Sequence, residues 1–217
     1  MIHIHILSLF PESMRTYLET SIMKRAQEKG LFRYTLHNLT DWTVKNTRRV
    51  DDHPYGWGAG TIITVEPLYK ALIDLEQEFW KMKIIYPSPR WETLTQDKCI
   101  SYAQNSIHYC LICGHYEGID ERIFSLFEIE EISIGSYVLS SGELSSLVWI
   151  DSVVRLIPGV LSPESLEEES FSEKLGGKKE YPQYSRPEHF KELSVPSILL
   201  SWNRKKICEW NHSQTRS

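Results

Sequence analysis

The chain has 217 residues, the length of one ordinary domain or of one domain with a small appendage. Hydrophobic residues make up 41% of it and there are 11 glycines, a globular composition that excludes a disordered or fibrous protein. Lys and Arg total 24 against 29 Asp and Glu, a formal net charge of −5 that argues against a broad basic surface for nucleic acid but leaves room for a local basic patch.

The ends of the chain and its cysteines indicate the compartment. The first ten residues lack a basic lead and a small-residue cleavage site, and Pro11 ends their apolar run, so we predict no signal peptide. No apolar run approaches the roughly 20 residues of a spanning helix. Four cysteines are too few for a disulfide scaffold in a chain of this length. We therefore expect a soluble, cytoplasmic, reduced protein with no membrane association.

Strands and helices alternate through the first 161 residues. The patterns predict strands at 2–7, 31–39, 82–86, 107–113 and 129–134, and helices at 12–29, 66–81, 120–127 and 144–156. This alternation predicts an α/β fold with a mostly parallel sheet flanked by helices. Residues 162–180 are polar and loop-like, with six Glu against three Lys, and are the best candidate for a linker. Residues 186–217 carry six Arg or Lys and three Glu and are therefore locally basic.

Three loops that follow predicted strands are candidates for a ligand site. They lie at 85–90, 113–120 and 134–143, and each combines small residues with hydroxyl or carboxylate groups. In open α/β sheets, ligands bind where loops leave the carboxyl ends of the strands. None of the loops matches a dinucleotide fingerprint or a phosphate-binding loop, so we predict neither a dinucleotide nor ATP.

The cysteines and histidines do not predict a metal site. Cys110 and Cys113 form a single C-x-x-C pair within an apolar run, without a second pair, and are predicted to be core residues. His3 and His5 share one face of the first strand and are interpreted as structural rather than as metal ligands. Cys208 has no identifiable His or Asn partner, so the sequence does not support a thiol nucleophile.

Six segments resemble one known family. They are SLFPE (8–12), RVDDHPYG (49–56), CGHYEGIDER (113–122), SIGSYVLSSGEL (133–144), IDSVVRLIPGVL (150–161) and YPQYSRP (181–187). In this order, and over nearly the whole chain, they are similar to the bacterial tRNA (guanine-N1)-methyltransferases of the TrmD type. The resemblance implies a SPOUT fold with a trefoil knot on the C-terminal side of the domain. It also implies a homodimer that binds S-adenosylmethionine in the knot, at the subunit interface.

The resemblance also implies roles for particular residues. The cofactor positions map onto Tyr86, Ser88, Pro89, Gly114, Tyr116, Glu117, Ser133, Ile134, Gly135, Tyr137, Leu139 and Gly142. Guanine N1 carries a proton near neutrality, so methyl transfer needs a base, and it needs a cation or donor to stabilise charge on O6. Arg155 matches the family's catalytic arginine. Glu169, in the expected catalytic linker 162–180, stands where the family has its catalytic aspartate, one methylene longer.

Several positions depart from the family pattern. Trp91 and Trp57 replace glycines near the expected pocket, His115 replaces an arginine, and Ser136 replaces an aspartate. Aromatic side chains there would narrow the pocket or supply a stacking surface. The segment 181–217 is expected to be the remnant of a longer helical domain that grips tRNA. Because RNA affinity depends on many phosphate contacts, its shortening would weaken tRNA binding.

Three functions therefore stay open. The first is methylation of guanine N1 in tRNA, next to the anticodon. The second is a diverged paralogue that methylates a small molecule, a heterocycle or a peptide. The third is a non-catalytic dimeric binding protein whose pocket is blocked by Trp91. The sequence leaves open whether a divalent cation assists, since such a role is compatible with the resemblance.

Overall fold

The computed structural model describes residues 1–43, 48–56, 58–105 and 108–216. They divide between Val160 and Leu161 into two compact units. The strands are β1 (Ile2–Ser8), β2 (Phe32–Asn38), β3 (Asp51–Asp52), β4 (Ile62–Ile63), β5 (Met82–Pro87), β6 (His108–Ile112), β7 (Ile129–Ile132), β8 (His189–Phe190) and β9 (Leu193–Ser194). The α-helices are α1 (Glu12–Leu18), α2 (Ser21–Glu28), α3 (Val65–Glu78), α4 (Gln96–Gln104), α5 (Ile123–Leu126), α6 (Gly142–Val154), α7 (Pro163–Glu167) and α8 (Arg204–Gln214). Short 3-10 helices cover Leu39–Trp42 and Ser197–Leu200.

A five-stranded sheet organises the first unit. Its order is β2-β1-β6-β5-β7, and all four pairings are parallel, which confirms the predicted α/β fold with a parallel sheet. Helices cover both faces, so every residue of β1 is buried. The carboxyl ends of all five strands lie at one edge of the sheet, because the strands run in the same direction.

Successive side chains of β1 pack into different hydrophobic clusters, one on each face of the sheet. Ile2, Ile4 and Ile6 belong to the apolar cluster that also contains Trp149 of α6, whereas Leu7 belongs to the cluster on the opposite face. The second cluster includes four residues of α3 at helical spacing, Leu68, Ala71, Leu72 and Leu75. Side chains alternate along a strand and recur every three to four residues along a helix, so these two periods place the apolar residues in contact. Cys110 and Cys113 are buried free thiols, as predicted.

Some predicted helices differ from those in the structure. The helix predicted over 12–29 is divided, because Thr20 is extended between α1 and α2 and its hydroxyl donates to the carbonyl of Tyr17. The helix predicted over 120–127 is only the four-residue α5, since the carboxylate of Asp120 accepts from the amide of Arg122 and holds a turn before it. The sequence interpretation missed α4.

The second unit has little buried surface. Residues 162–180, predicted to be loop-like, contain α7 and a turn in which the amide of Phe171 donates to the carbonyl of Lys178 at 2.8 Å. Strands β8 and β9 pair antiparallel, and Asn203 caps the start of α8, where its side chain accepts from the amide of Lys206. Across the part of the chain that the structure describes, every helix is too short or too polar to cross a lipid bilayer.

We predict that Gly142→Ala destabilises the first unit by about 3 kcal/mol. A Cβ at this position would lie 2.5 Å from the backbone nitrogen of Gly114 and 2.7 Å from the Cα of Cys113, and neither backbone atom can rotate away. Urea unfolding followed by circular dichroism measures the change. The control is Ser152→Ala on the same helix, where we expect a change within about 0.5 kcal/mol. Equal unfolding midpoints for the two variants would contradict the prediction.

Candidate functional site

The loops that follow β5, β6 and β7 line one cleft at the carboxyl edge of the sheet. Its space of about 210 Å³ is far more than the roughly 15 Å³ that one water requires, so the cleft can take a small molecule. All twelve residues predicted as cofactor positions line it: Tyr86, Ser88, Pro89, Gly114, Tyr116, Glu117, Ser133, Ile134, Gly135, Tyr137, Leu139 and Gly142. The fold thus brings together positions that lie as much as 56 residues apart in sequence.

Gly114 allows a tyrosine to pack against the floor of the cleft. A Cβ at Gly114 would lie 2.8 Å from the hydroxyl oxygen of Tyr86, so only glycine leaves room for that ring. Burial raises the pKa of Tyr86, and the side chain therefore stays a neutral phenol at pH 7. The result is an apolar surface with one hydroxyl group on the floor of the cleft.

The loop after β7 forms another wall. Gly135 has a φ of +148°, and the ring of Tyr137 lies where a Cβ of Gly135 would be, so glycine is required there. The hydroxyl of Ser133 donates to the carbonyl of Gly135 at 3.1 Å. The amide of Ser88 donates to the carbonyl of Ile132 at 2.7 Å, which joins this wall to the loop after β5.

A buried carboxylate stands behind the cleft. The hydroxyl of Ser8 donates to Glu143 at 2.5 Å, and Nε2 of His115 lies 2.9 Å from the same carboxylate oxygen. Burial alone would raise the pKa of Glu143, but hydrogen bonds from Ser141, Ser8 and His115 together hold it below its usual range. Glu143 is therefore ionised at neutral pH and fixes His115, which itself lines the cleft.

The sequence interpretation did not single out Glu143 or Ser8. Ser8 ends β1 and Glu143 lies in the first turn of α6, 135 residues later. The feature of the sequence that could have indicated Glu143 is its position directly after the small residues of the loop 134–143. Its partner could not be found by spacing, because the contact depends on the order of the strands.

The structure describes one of the two tryptophans that were expected near the pocket. Trp91 is 58% exposed and is absent from the described residues that line the cleft. The guanidinium of its neighbour Arg90 lies 3.4 Å from Glu121 and 3.6 Å from Glu131. Trp57 lies outside the described residues.

The two predicted catalytic residues fall in different units. Arg155 follows the last residue of α6, its amide donates to the carbonyl of Asp151 at 3.2 Å, and its side chain is half-buried. It is not among the described residues around the cleft. Glu169 lies in the second unit, where its carbonyl accepts from the amide of Ser172 at 3.1 Å. Their catalytic roles stay predictions.

Comparison with known proteins identifies relatives over the full chain. The family described as tRNA (Guanine-1)-methyltransferase TrmD matches residues 2–217. A protein named tRNA (guanine-N(1)-)-methyltransferase from Clostridioides difficile is 46% identical over 216 residues, which cover 97% of this chain and 91% of the relative. Proteins of the same name from Dictyoglomus turgidum and Carboxydothermus hydrogenoformans are 44% and 46% identical, over 99% and 98% of this chain and 85% and 82% of their own lengths. The chain belongs to the TrmD family of tRNA (guanine-1)-methyltransferases.

Proposed function

We propose that the protein transfers a methyl group from S-adenosylmethionine to N1 of a guanine in tRNA, in the cytoplasm. The observation that carries the proposal is the single cleft lined by all twelve expected cofactor positions. The names of relatives that are 44% to 46% identical over nearly the whole chain support the same reaction and substrate.

The residues of the cleft suit the proposed methyl donor. When bound, S-adenosylmethionine supplies an electrophilic methyl group on a sulfonium. Ile134, Leu139 and the ring of Tyr86 offer apolar surface for a nucleoside, and Ser88 and Ser133 offer hydroxyl groups. A Cβ at Gly114 would collide with Tyr86, so the glycine lets this ring form part of the wall of the cleft.

The proton and the charge on guanine define the tasks of the two predicted catalytic residues. Guanine N1 must lose its proton as the new N–C bond forms, and the negative charge that develops is shared with O6. We assign proton removal to the carboxylate of Glu169 and stabilisation of O6 to the guanidinium of Arg155. Glutamate retains the basic group of the family's aspartate, and its extra methylene changes the reach that the linker must provide.

A knot and a homodimer complete the proposal. The amide of Gly142 donates to the carbonyl of Gly114 at 2.8 Å, the close approach expected where a knotted loop crosses the chain. On α6, Leu144 is 59% exposed and Val148 44% exposed, while the opposite face of this helix is buried in the core. A helix that is apolar on both faces needs a partner on its outer face, and a second copy of the chain would cover it.

A smaller acceptor is the second candidate. The net charge of −5 and the six glutamates of residues 162–180 disfavour contact with the phosphates of a folded RNA. A heterocycle or a peptide without phosphates would not be repelled by these negative charges. Methyl transfer to unmodified tRNA, measured beside transfer to free guanosine, separates the two candidates. The exposure of Trp91 outside the described lining gives no support to a blocked, non-catalytic pocket.

We predict that Arg155→Ala lowers the rate of methyl transfer by about 10²- to 10³-fold, because it removes the group that stabilises O6 in the transition state. Affinity for S-adenosylmethionine should stay nearly unchanged in calorimetry. Arg15→Ala, which removes an exposed arginine that pairs with Glu12 and Glu19 on α1, is the control and should leave both quantities unchanged. Equal losses of rate and of cofactor affinity would show that Arg155 has been assigned wrongly.

We predict that Glu169→Gln lowers the transfer rate by about 10²- to 10⁴-fold, because the amide cannot accept the N1 proton. Glu169→Asp should retain most of the activity, since it restores the base of the family. The exposed Glu173→Gln in the same segment is the matched control. A Glu169→Gln variant as active as Glu173→Gln would exclude Glu169 as the base.

We predict that Leu144→Lys converts the dimer to monomers and weakens binding of S-adenosylmethionine, because it places a charge on the exposed apolar face of α6. Light scattering gives the mass and calorimetry the affinity. Leu126→Lys changes another exposed leucine, on α5, and should leave both unchanged. If the wild-type chain is a monomer that binds the cofactor tightly, the dimer proposal is wrong while the reaction proposal stands.

A further inference from the structure

Four histidines meet on one face of the central sheet. His3 and His5 are two residues apart on β1, so their side chains point to the same face. Parallel pairing places His108 of β6 opposite His3, and His37 of β2 lies on the other side of β1. Three strands that are distant in sequence thus bring their imidazoles together.

The imidazole nitrogens lie close to one another. Nε2 of His5 is 3.3 Å from Nδ1 of His108, and Nδ1 of His5 is 3.1 Å from Nε2 of His37. One nitrogen each of His3, His5 and His108 can be chosen so that all three lie within 4.8 Å of one another. Three nitrogens at this separation are close enough to bind a single ion after small side-chain movements.

We propose that His3, His5 and His108 form a binding site for one divalent transition-metal ion of the zinc type. Imidazole nitrogen is a preferred ligand of such ions, and zinc–nitrogen bonds are about 2.0 to 2.1 Å long. A tetrahedral ion with these bonds separates its ligand nitrogens by about 3.3 to 3.4 Å. The 3.3 Å between His5 and His108 matches that edge.

An unpartnered nitrogen of His3 supports the site independently. His3 is only 5% exposed, and among the described residues its Nδ1 has no hydrogen-bond partner. Its other nitrogen, Nε2, lies 2.8 Å from the hydroxyl oxygen of Thr35. If Nε2 carries the proton and donates it to Thr35, the lone pair of Nδ1 is available to a metal, and binding would satisfy a buried polar atom.

The neighbouring residues define the environment of the ion. If Nδ1 of His5 donates to His37, then Nε2 of His5 presents its lone pair on the side of His108, and His37 acts as an outer hydrogen-bond partner rather than a ligand. Phe79 packs against the cluster, with ring centroids 4.2 Å from His5 and 5.0 Å from His108. This ring limits access of water from its side.

Charged residues near the histidine cluster have opposite effects on a bound cation. Burial, with help from Arg33 and the other histidines, lowers the pKa of His3 to about 4 and that of His5 to about 3. Both rings are therefore neutral at pH 7, the form that binds metals. Arg33 opposes a second cation nearby, whereas the carboxylate of Glu78 acts on His37 with the opposite sign.

The proposed site lies away from the cleft. His3 and His108 are at the amino ends of their strands, and the cleft is at the carboxyl ends. An ion bound here would join β1 to its neighbour β6 near the amino ends of both strands. Its expected effect is therefore on stability, and it does not depend on the proposed methyl transfer.

Metal titration of the full chain tests the proposal. After removal of metal with a chelator, we expect the wild-type protein to bind one Zn²⁺ per chain in calorimetry, and to unfold about 5 °C higher with excess Zn²⁺. Co²⁺ bound in place of Zn²⁺ should give the visible absorption of a tetrahedral site. His5→Gln and His108→Gln should each weaken Zn²⁺ binding at least tenfold.

Two control variants identify binding elsewhere. His189→Gln removes an exposed histidine of the second unit and should leave the affinity unchanged. Cys208→Ser tests the exposed pair on α8 in which the sulfur of Cys208 is 3.7 Å from Nδ1 of His212. Zn²⁺ binding that disappears in Cys208→Ser, or that is unchanged in both His5→Gln and His108→Gln, would overturn the proposal.

A measurement on the wild-type chain covers the case in which the histidine variants do not fold. Circular dichroism first establishes whether each variant has the wild-type secondary structure. In nuclear magnetic resonance spectra of the wild-type protein, Zn²⁺ should shift the ring nitrogen signals of His3, His5 and His108. Unchanged ring signals at saturating Zn²⁺ would exclude the site without any substitution.

Discussion

The close backbone contact between Gly142 and Gly114 is the constraint on which the cleft depends. The two segments are joined by an amide-to-carbonyl hydrogen bond of 2.8 Å, and no side chain fits between them. Because the contact holds the loop after β7 against the loop after β6, α6 begins at the cleft. The same helix then presents Glu143 behind the cleft, and Arg155 directly follows its end.

The parallel sheet separates two kinds of chemistry. At the carboxyl ends of its strands, glycines and short polar side chains line a cleft that can hold a small molecule. Towards the amino ends of β1 and β6, the buried His3 and His5 and the partly buried His108 lie beside Phe79. A metal that binds at the amino ends would lie away from the cleft, so its effect on the stability of the protein can be measured separately from methyl transfer.

Local sequence patterns predicted much of the fold but not all of it. The strand β1 was predicted because isoleucines alternate with histidines along it, and β5 and β6 were predicted because they are short, largely apolar runs. The helix α3 was predicted because its apolar residues recur at helical spacing. The helix α4 was missed because only Cys99, Tyr102 and Ala103 are buried along it. The capping hydroxyl of Thr95, which accepts from the amide of Lys98, was the available signal.

By itself, the sequence determined the α/β class, the family and the loops that line the cleft. Each of these can be recognised from short stretches of consecutive residues and from the order of those stretches along the chain. Tertiary structure alone decided which distant groups meet. Ser8 reaches Glu143 across 135 residues, and His3 lies opposite His108 although four strands, β2 to β5, lie between them along the chain. Strand order and register decide such contacts, and both depend on the packing of the whole sheet rather than on the spacing of residues along the chain.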